Sequence, residues 1–185
     1  MSVLFTIKLH ALPATQQCAA CHGEKGISSN PLWPNLAGQG NKYLLKQLND
    51  FKKNEQRQSP LMNGSLSSLS QEDLIELSNF YAKLPLNIGK MKETYLVKGQ
   101  NLYRSGDRRK GITACVACHG PKGKGNVDAG FPVLSGQQAD YTIAQLKLFK
   151  TKQRTNDLNA VMQNISAKMS IEDMQALAYY IEGLH

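Results

Sequence analysis

The chain has no apolar run approaching the ~20 residues that cross a bilayer as a helix. It shows no convincing alternation of apolar and polar residues, which argues against a β-sandwich or barrel. Histidine and cysteine are scarce, with four of each, and there is a single Trp. Little metal-binding chemistry is therefore available, and where those few residues fall carries most of the information.

The rest of the composition is ordinary. Of 185 residues, 41% are hydrophobic and 19% charged, as in a globular protein of one domain or two small ones. The formal charge is +8. Residues 1–90 hold 9 Lys and Arg against 6 Asp and Glu, and residues 91–185 hold 13 against 8. A basic chain fits nucleic acid, an acidic membrane surface or an acidic protein. With the cations spread through both halves, nucleic acid is not the expected partner.

The four cysteines form two Cys-x-x-Cys pairs, each followed directly by a histidine: Cys18-Ala19-Ala20-Cys21-His22 and Cys115-Val116-Ala117-Cys118-His119. The pairs sit in a longer repeat. Gly23, Lys25 and Gly26 match Gly120, Lys122 and Gly123. Pro34, Leu36, Gly38 and Gln39 match Pro132, Leu134, Gly136 and Gln137. Tyr43, Gln47, Leu48 and Phe51 match Tyr141, Gln145, Leu146 and Phe149, Met62 matches Met162, and Ser70-x-Glu72-Asp73 matches Ser170-x-Glu172-Asp173. The offset drifts from 97 to 100, as small loop insertions would produce. The chain is a tandem duplication.

Each unit reads as helical. Tyr43, Leu44, Leu48 and Phe51 recur at helical spacing, as do Leu74, Leu77, Phe80, Tyr81 and Leu84. In the second unit Tyr141, Gln145, Leu148 and Phe149 form one helix, and Met174, Leu177, Tyr180, Ile181 and Leu184 another. Ser70 and Ser170 read as helix N-caps. Gly, Pro and Asn crowd residues 22–41 and 119–138, which read as loops. The expected architecture is all-α, with one domain over residues 1–90, a second over 91–185, and a linker at about 85–93. Units this small bury little apolar surface by themselves; a flat cofactor at the centre of each would supply the missing core.

Two thiols at Cys-x-x-Cys spacing add to the two vinyl groups of one porphyrin, and the next residue, His, is then placed under the iron. A four-cysteine zinc site has its pairs about 15–20 residues apart, far closer than Cys21 and Cys115, and leaves the histidines without a purpose. A thioredoxin-like pair needs a strand–helix setting that is not visible, and disulfides do not explain the His. The expected cofactors are two covalent haem c groups, attached at Cys18, Cys21, Cys115 and Cys118, with His22 and His119 as proximal ligands. Their propionates would remove about four charges from the basic total.

The second axial ligand decides whether such an iron carries electrons or does chemistry. All four cysteines are used, and the remaining His10 and His185 have no repeat partner. Met62 and Met162 are the only internal methionines that superpose under the repeat, 40 and 43 residues after their histidines. A thioether there raises the reduction potential and closes the iron to substrate. The competing role of a methionine is core packing, which suits Met169 and Met174 beside Leu177 and Ile181. A proximal His normally donates its other ring N–H to a carbonyl; Pro34 and Pro132 are placed to supply it, or are plain turn prolines. Tyr43, Tyr141, Arg57 and Arg154 are candidates for propionate contacts, with solvated surface the alternative for the arginines. Lys46, Lys52, Lys53 and Arg57 read as a basic helix face suited to steering an acidic partner, or simply as solvated surface.

With these residues in place, the chain resembles the cytochrome c4 family. The resemblance runs from Cys18 to His185 and rests on the paired motifs, Leu36-Ala37-Gly38-Gln39 with Tyr43-Leu44-Leu45-Lys46-Gln47-Leu48, Gly130-Phe131-Pro132, Leu134-Ser135-Gly136-Gln137, Arg154-Thr155-Asn156-Asp157, and Tyr180-Ile181-Glu182-Gly183-Leu184-His185. It implies two tandem cytochrome c folds related by a pseudo-twofold axis, with axial pairs His22–Met62 and His119–Met162. It implies a periplasmic electron carrier, not an enzyme, that takes electrons from a cytochrome bc complex or another donor to a haem-copper terminal oxidase. The expected partners are redox proteins, with peripheral membrane contact left open and the chain acting as a monomer.

One departure stands out. The second unit has a helix-like stretch, Tyr95 to Tyr103, before its motif; the first has only 17 residues before Cys18, and Pro13 interrupts them. Residues 1–14 make a weak signal segment, because Lys8 and His10 break the apolar run, although this kind of haem attachment happens outside the cytoplasm. The competing function is a haem electron-transfer subunit of a dehydrogenase, such as a flavocytochrome sulfide dehydrogenase. A sensor module ranks last.

Overall fold

Ser70 and Ser170 each start a helix by the same device. The Ser70 hydroxyl accepts from the Asp73 N–H at 3.2 Å while the Asp73 carboxylate accepts from the Ser70 N–H at 2.8 Å; Ser170 and Asp173 repeat this at 3.1 and 2.9 Å. Two otherwise unsatisfied donors are thus capped. These boxes open α4 (Gln71–Ala82) and α9 (Ile171–Glu182). The structure is a computed structural model and describes residues 11–185. Before α4 come α1 (Ala11–His22), α2 (Asn41–Lys53) and α3 (Pro60–Leu66). Before α9 come α5 (Glu93–Ser105), α6 (Val116–His119), α7 (Ala139–Lys150) and, after a 3-10 turn at Leu158–Ala160, α8 (Val161–Ala167). Among the described residues there is no strand, only isolated bridges.

The helices pack within their own half. On α4 Leu77 and Tyr81 pack against Ala14 and Cys18 of α1 and Leu44 of α2, and Leu74 on the same face is fully buried. On α9, Met174, Leu177, Tyr180 and Ile181 meet Leu102 and Tyr103 of α5 and Leu146 of α7. Met169 and Met174 are core residues, 1% and 0% exposed. Helices α5 and α9 touch backbone to side chain at Gly99, where a Cβ would lie 2.3 Å from the Ala176 carbonyl oxygen and 2.5 Å from the Tyr180 Cβ. Only a residue without a side chain permits that approach.

The halves are joined by contacts that swap across a pseudo-twofold axis. The Gln39 side chain donates to the Val133 carbonyl at 2.9 Å and accepts from the Val133 N–H at 2.7 Å. Gln137, its repeat partner, donates to the Asn35 carbonyl at 3.0 Å and accepts from the Asn35 N–H at 2.9 Å. Asn35 and Val133 are themselves equivalent under the repeat, so one interaction is made twice. The backbones of Arg57 and Arg154 also meet in an antiparallel bridge, beside a 2.8 Å bond from the Thr155 N–H to the Gln56 carbonyl.

The region before the first motif differs from expectation. Pro13 does not interrupt a helix there: among the described residues α1 runs through it, from Ala11 to His22. The expected signal segment falls largely on residues 1–10, outside the described residues.

Candidate functional site

His22 ends α1 and His119 ends α6, and each is followed by a glycine with φ +77° that turns the chain out of the helix. The chain then folds back through a glycine-rich loop, so that Pro34 and Pro132 return beside the histidines. The Nδ1 of His22 lies 3.0 Å from the Pro34 carbonyl oxygen, and that of His119 lies 3.0 Å from the Pro132 carbonyl oxygen. A carbonyl only accepts, so Nδ1 carries the proton and Nε2 keeps its lone pair. Both rings are 7% exposed. Burial lowers both pKa values, against the smaller opposite effect of the carbonyl bond, which keeps each imidazole neutral and able to ligate a metal.

None of the four cysteines is in a disulfide, although each pair is three residues apart. Cys18 packs against the first core and Cys115 against the second; burial raises the Cys18 thiol and pushes Cys115 up to about 12. Cys21 is exposed. Free, unpaired thiols beside a neutral buried histidine are the donor set that covalent haem attachment requires.

The methionines stand on short helices of different design. Met62 is half-buried on α3, whose N-cap Ser59 accepts from the Met62 N–H. Met162 is half-buried on α8 and packs against the same core as Cys115. Its helix is set by Asp157, which accepts from the Gln163 N–H at 3.0 Å, and by Asn159 and Ala160 in left-handed conformation.

The two arginines are not surface residues. Arg57 is 6% and Arg154 5% exposed. Arg57 donates to the Tyr141 hydroxyl at 2.8 Å and Arg154 to the Tyr43 hydroxyl at 3.0 Å, again swapped across the axis. Arg57 also bonds Gln47, and Arg154 bonds Gln145 and Asn156 at 2.8 and 2.9 Å. Each guanidinium covers a ring of its own half, Phe51 and Phe149 at 4.3 and 4.4 Å. None of the ion pairs of the described residues includes either arginine. Two adjacent buried cations held only by neutral acceptors are costly and fit a site that receives carboxylates. Arg57 therefore leaves the basic helix face expected with Lys46, Lys52 and Lys53. Of those, Lys52 and Lys53 are exposed, while Lys46 bonds Asp50 and the Asn156 carbonyl.

The interface roles of Gln39, Gln137, Asn156 and Asp50 went unassigned at the level of sequence. The matched Gly-Gln pairs carried the signal for the first two, since two buried amides at equivalent positions need equivalent partners. Asn156, which donates to Asp50 at 2.6 Å, has no matching residue to draw attention to it.

Comparison with known proteins gives a consistent picture. A family model described as cytochrome c matches twice, over residues 11–84 and 96–185. Cytochrome c4 of Pseudomonas aeruginosa is 43% identical over 169 residues, 91% of this chain and 84% of that protein. A thiosulfate dehydrogenase electron acceptor from Stutzerimonas stutzeri is 37% identical over 179 residues, 94% of this chain and 82% of that one. The crystal structure of reduced recombinant cytochrome c4 from Pseudomonas stutzeri superposes with a TM-score of 0.89 at 40% identity, covering 95% of this chain and 98% of that chain.

Proposed function

The chain belongs to the cytochrome c4 family, and from that premise we propose that this dihaem electron-transfer protein relays electrons in the periplasm from a cytochrome bc complex, or another donor, to a terminal oxidase. It is a carrier with two haem c groups, not an enzyme. Each bound haem supplies an iron that takes up or gives up one electron.

In this reading Cys18 and Cys21 would hold one haem and Cys115 and Cys118 the other through thioether bonds to the porphyrin vinyl carbons. His22 and His119 offer Nε2 to the iron, and the carbonyls of Pro34 and Pro132 fix the ring orientation and tautomer. The Met62 and Met162 thioethers would be the second protein ligands of each iron, which would exclude substrate and favour the reduced state. Arg57 and Arg154, with Tyr141 and Tyr43, receive the propionates at the interface. The domains divide at about residue 90, within the helix-free segment before α5. The observation that carries the reading is the twofold repetition of one site: Cys-x-x-Cys-His with a 3.0 Å Nδ1-to-carbonyl bond in each half.

The test is a potentiometric titration of the holoprotein followed in the visible spectrum, repeated on Met62→His and Met162→His. Each substitution is expected to lower one of two high potentials by on the order of 0.2 V. A variant with both potentials in place removes that methionine from the ligand set. A second reading, an electron acceptor docked to a dehydrogenase, is favoured by the similarity to the thiosulfate dehydrogenase electron acceptor; a flavocytochrome-type complex is its other form. Stable co-purification with a dehydrogenase subunit would put it first.

A further inference from the structure

The approach to the second motif carries a basic hairpin. Asp107 and Ile112 exchange both backbone bonds at 2.9 Å, which closes the loop Arg108-Arg109-Lys110-Gly111. The Asp107 carboxylate turns inward and accepts from the N–H groups of Arg109 and Lys110 at 3.0 and 3.3 Å. Lys110 is tied to the buried Asp173 at 2.6 Å, and Lys168 donates to the Gly111 carbonyl at 2.9 Å. The anchoring thus uses up Asp107, Asp173 and two of the lysines, and the one further acid of the groove, the exposed Glu172, is paired with Lys98 at 2.9 Å. Arg108 and Arg109 are exposed, and neither forms an ion pair with any described carboxylate. They border an open groove against α5, whose wall includes Val97, 70% exposed. Arginines at the rim of an apolar spot are the composition of a protein-binding surface. Residues 11–17, which precede Cys18, contain no charged residue.

We propose that the Arg108–Arg109 hairpin is the docking site for an acidic patch on a redox protein, and that electrons pass between that partner and the C-terminal haem. The proposal rests on the carrier reading above. The hairpin is pre-formed, so little ordering opposes binding. From Gly111 to Cys115 the chain spans at most about 14 Å, so a partner seated on the hairpin lies next to a haem attachment point. In the transfer step one electron leaves the reduced haem iron and reduces the partner's metal by one; no bond forms and no proton moves.

The experiment mixes reduced holoprotein with oxidised plastocyanin, an acidic copper protein, and separately with the cationic oxidant tris(phenanthroline)cobalt(III), in a stopped-flow instrument. The double variant Arg108→Gln/Arg109→Gln is expected to slow the plastocyanin reaction about fivefold to tenfold at low ionic strength and to flatten its salt dependence. The cobalt rate should hold or rise, and Arg108→Lys/Arg109→Lys should restore the plastocyanin rate. The control pair Lys53→Gln/Lys83→Gln, with the same charge change on the N-terminal domain, should alter it less than about twofold. An equal loss in the control pair overturns the proposal in favour of net charge alone. Wild-type binding to phosphatidylglycerol vesicles that the arginine variant loses, with its plastocyanin rate unchanged, overturns it in favour of a membrane contact. A wild-type holoprotein that reduces neither oxidant overturns the carrier reading itself.

Discussion

The two domains repeat one site but are sealed differently. In the N-terminal domain a single helix, α1, carries the motif and packs on α4. In the C-terminal domain these tasks are divided: α5 covers α9, and the short α6 carries the motif. Among the described residues the second core holds Leu102, Tyr103, Ile112, Leu146, Met169, Met174, Leu177, Tyr180, Ile181 and Leu184, while the first cluster holds Ala14, Leu44, Leu77 and Tyr81, with Leu66 and Leu74 also buried in that half. Asp173 is 1% exposed and paired with Lys98 and Lys110, whereas Asp73, at the matching cap, is only half-buried. The duplication thus preserved the geometry around His22 and His119 and let the cover over it diverge.

The helix crossing offers the largest break in this comparison. Gly99→Ala places a methyl against the Ala176 carbonyl and should destabilise the C-terminal domain by about 3 kcal/mol. Thermal unfolding of the holoprotein should then split into two transitions, with the N-terminal one unmoved. A single unshifted transition would mean that α5 does not clamp α9.

Next come the interface cations. Arg154 bonds four side chains, Asn156, Gln145, Tyr43 and Gln47, and Arg57 bonds two, Gln47 and Tyr141. Arg154→Gln is expected to cost about 2 kcal/mol in denaturant unfolding, and Arg57→Gln about half as much. Equal losses would show that the swapped geometry, not the number of partners, sets the contribution.

The caps give a smaller and pH-dependent contrast. Burial alone would raise the Asp173 carboxyl, but bonds from Lys110, Ser170 and Lys98 outweigh it and hold it well below the usual carboxylate range. Asp173→Asn keeps the cap acceptor and loses the charge, for about 1–2 kcal/mol at neutral pH; at the half-buried Asp73 the same change should cost less, about 0.3–1 kcal/mol, the value of a charge in a helix's first turn. A depressed carboxyl stabilises above its unfolded pKa of about 3.9 and loses that contribution as pH falls further. The gap between wild type and Asp173→Asn should therefore narrow below about pH 4, as read from unfolding midpoints across a pH series.

The smallest effect has the opposite sign. At Gly64 on α3, an added methyl would meet nothing within 4 Å beyond its own helix. Gly64→Ala should stabilise the N-terminal domain by about 0.5–1 kcal/mol through helix propensity alone. A loss of stability would show that the methionine helix needs its glycine to flex.

Much of this molecule was legible in its sequence because the signals are local. The capping boxes at Ser70 and Ser170, the periodic faces of α4 and α9, and the loops at 22–41 and 119–138 each depend on residues a few positions apart. Duplication then supplied an internal comparison that marked matched residues, among them Gln39 and Gln137. The buried setting of Arg57 was not legible: an arginine in a polar stretch, Asn54-Glu55-Gln56-Arg57-Gln58, reads as surface, and its partners Gln47, Phe51 and a tyrosine 84 residues away show otherwise. The helical setting of Pro13 was not legible because a proline reads as a helix breaker, and only the course of α1 shows the helix continuing through it.

The sequence by itself determined the cofactor class, the twofold repeat and the all-α architecture, since covalent attachment spacing and helical period are properties of short segments. Tertiary structure alone decided how the halves face each other, which charges are buried between them and where a basic hairpin projects, because those depend on partners about a hundred residues apart that no local pattern encodes.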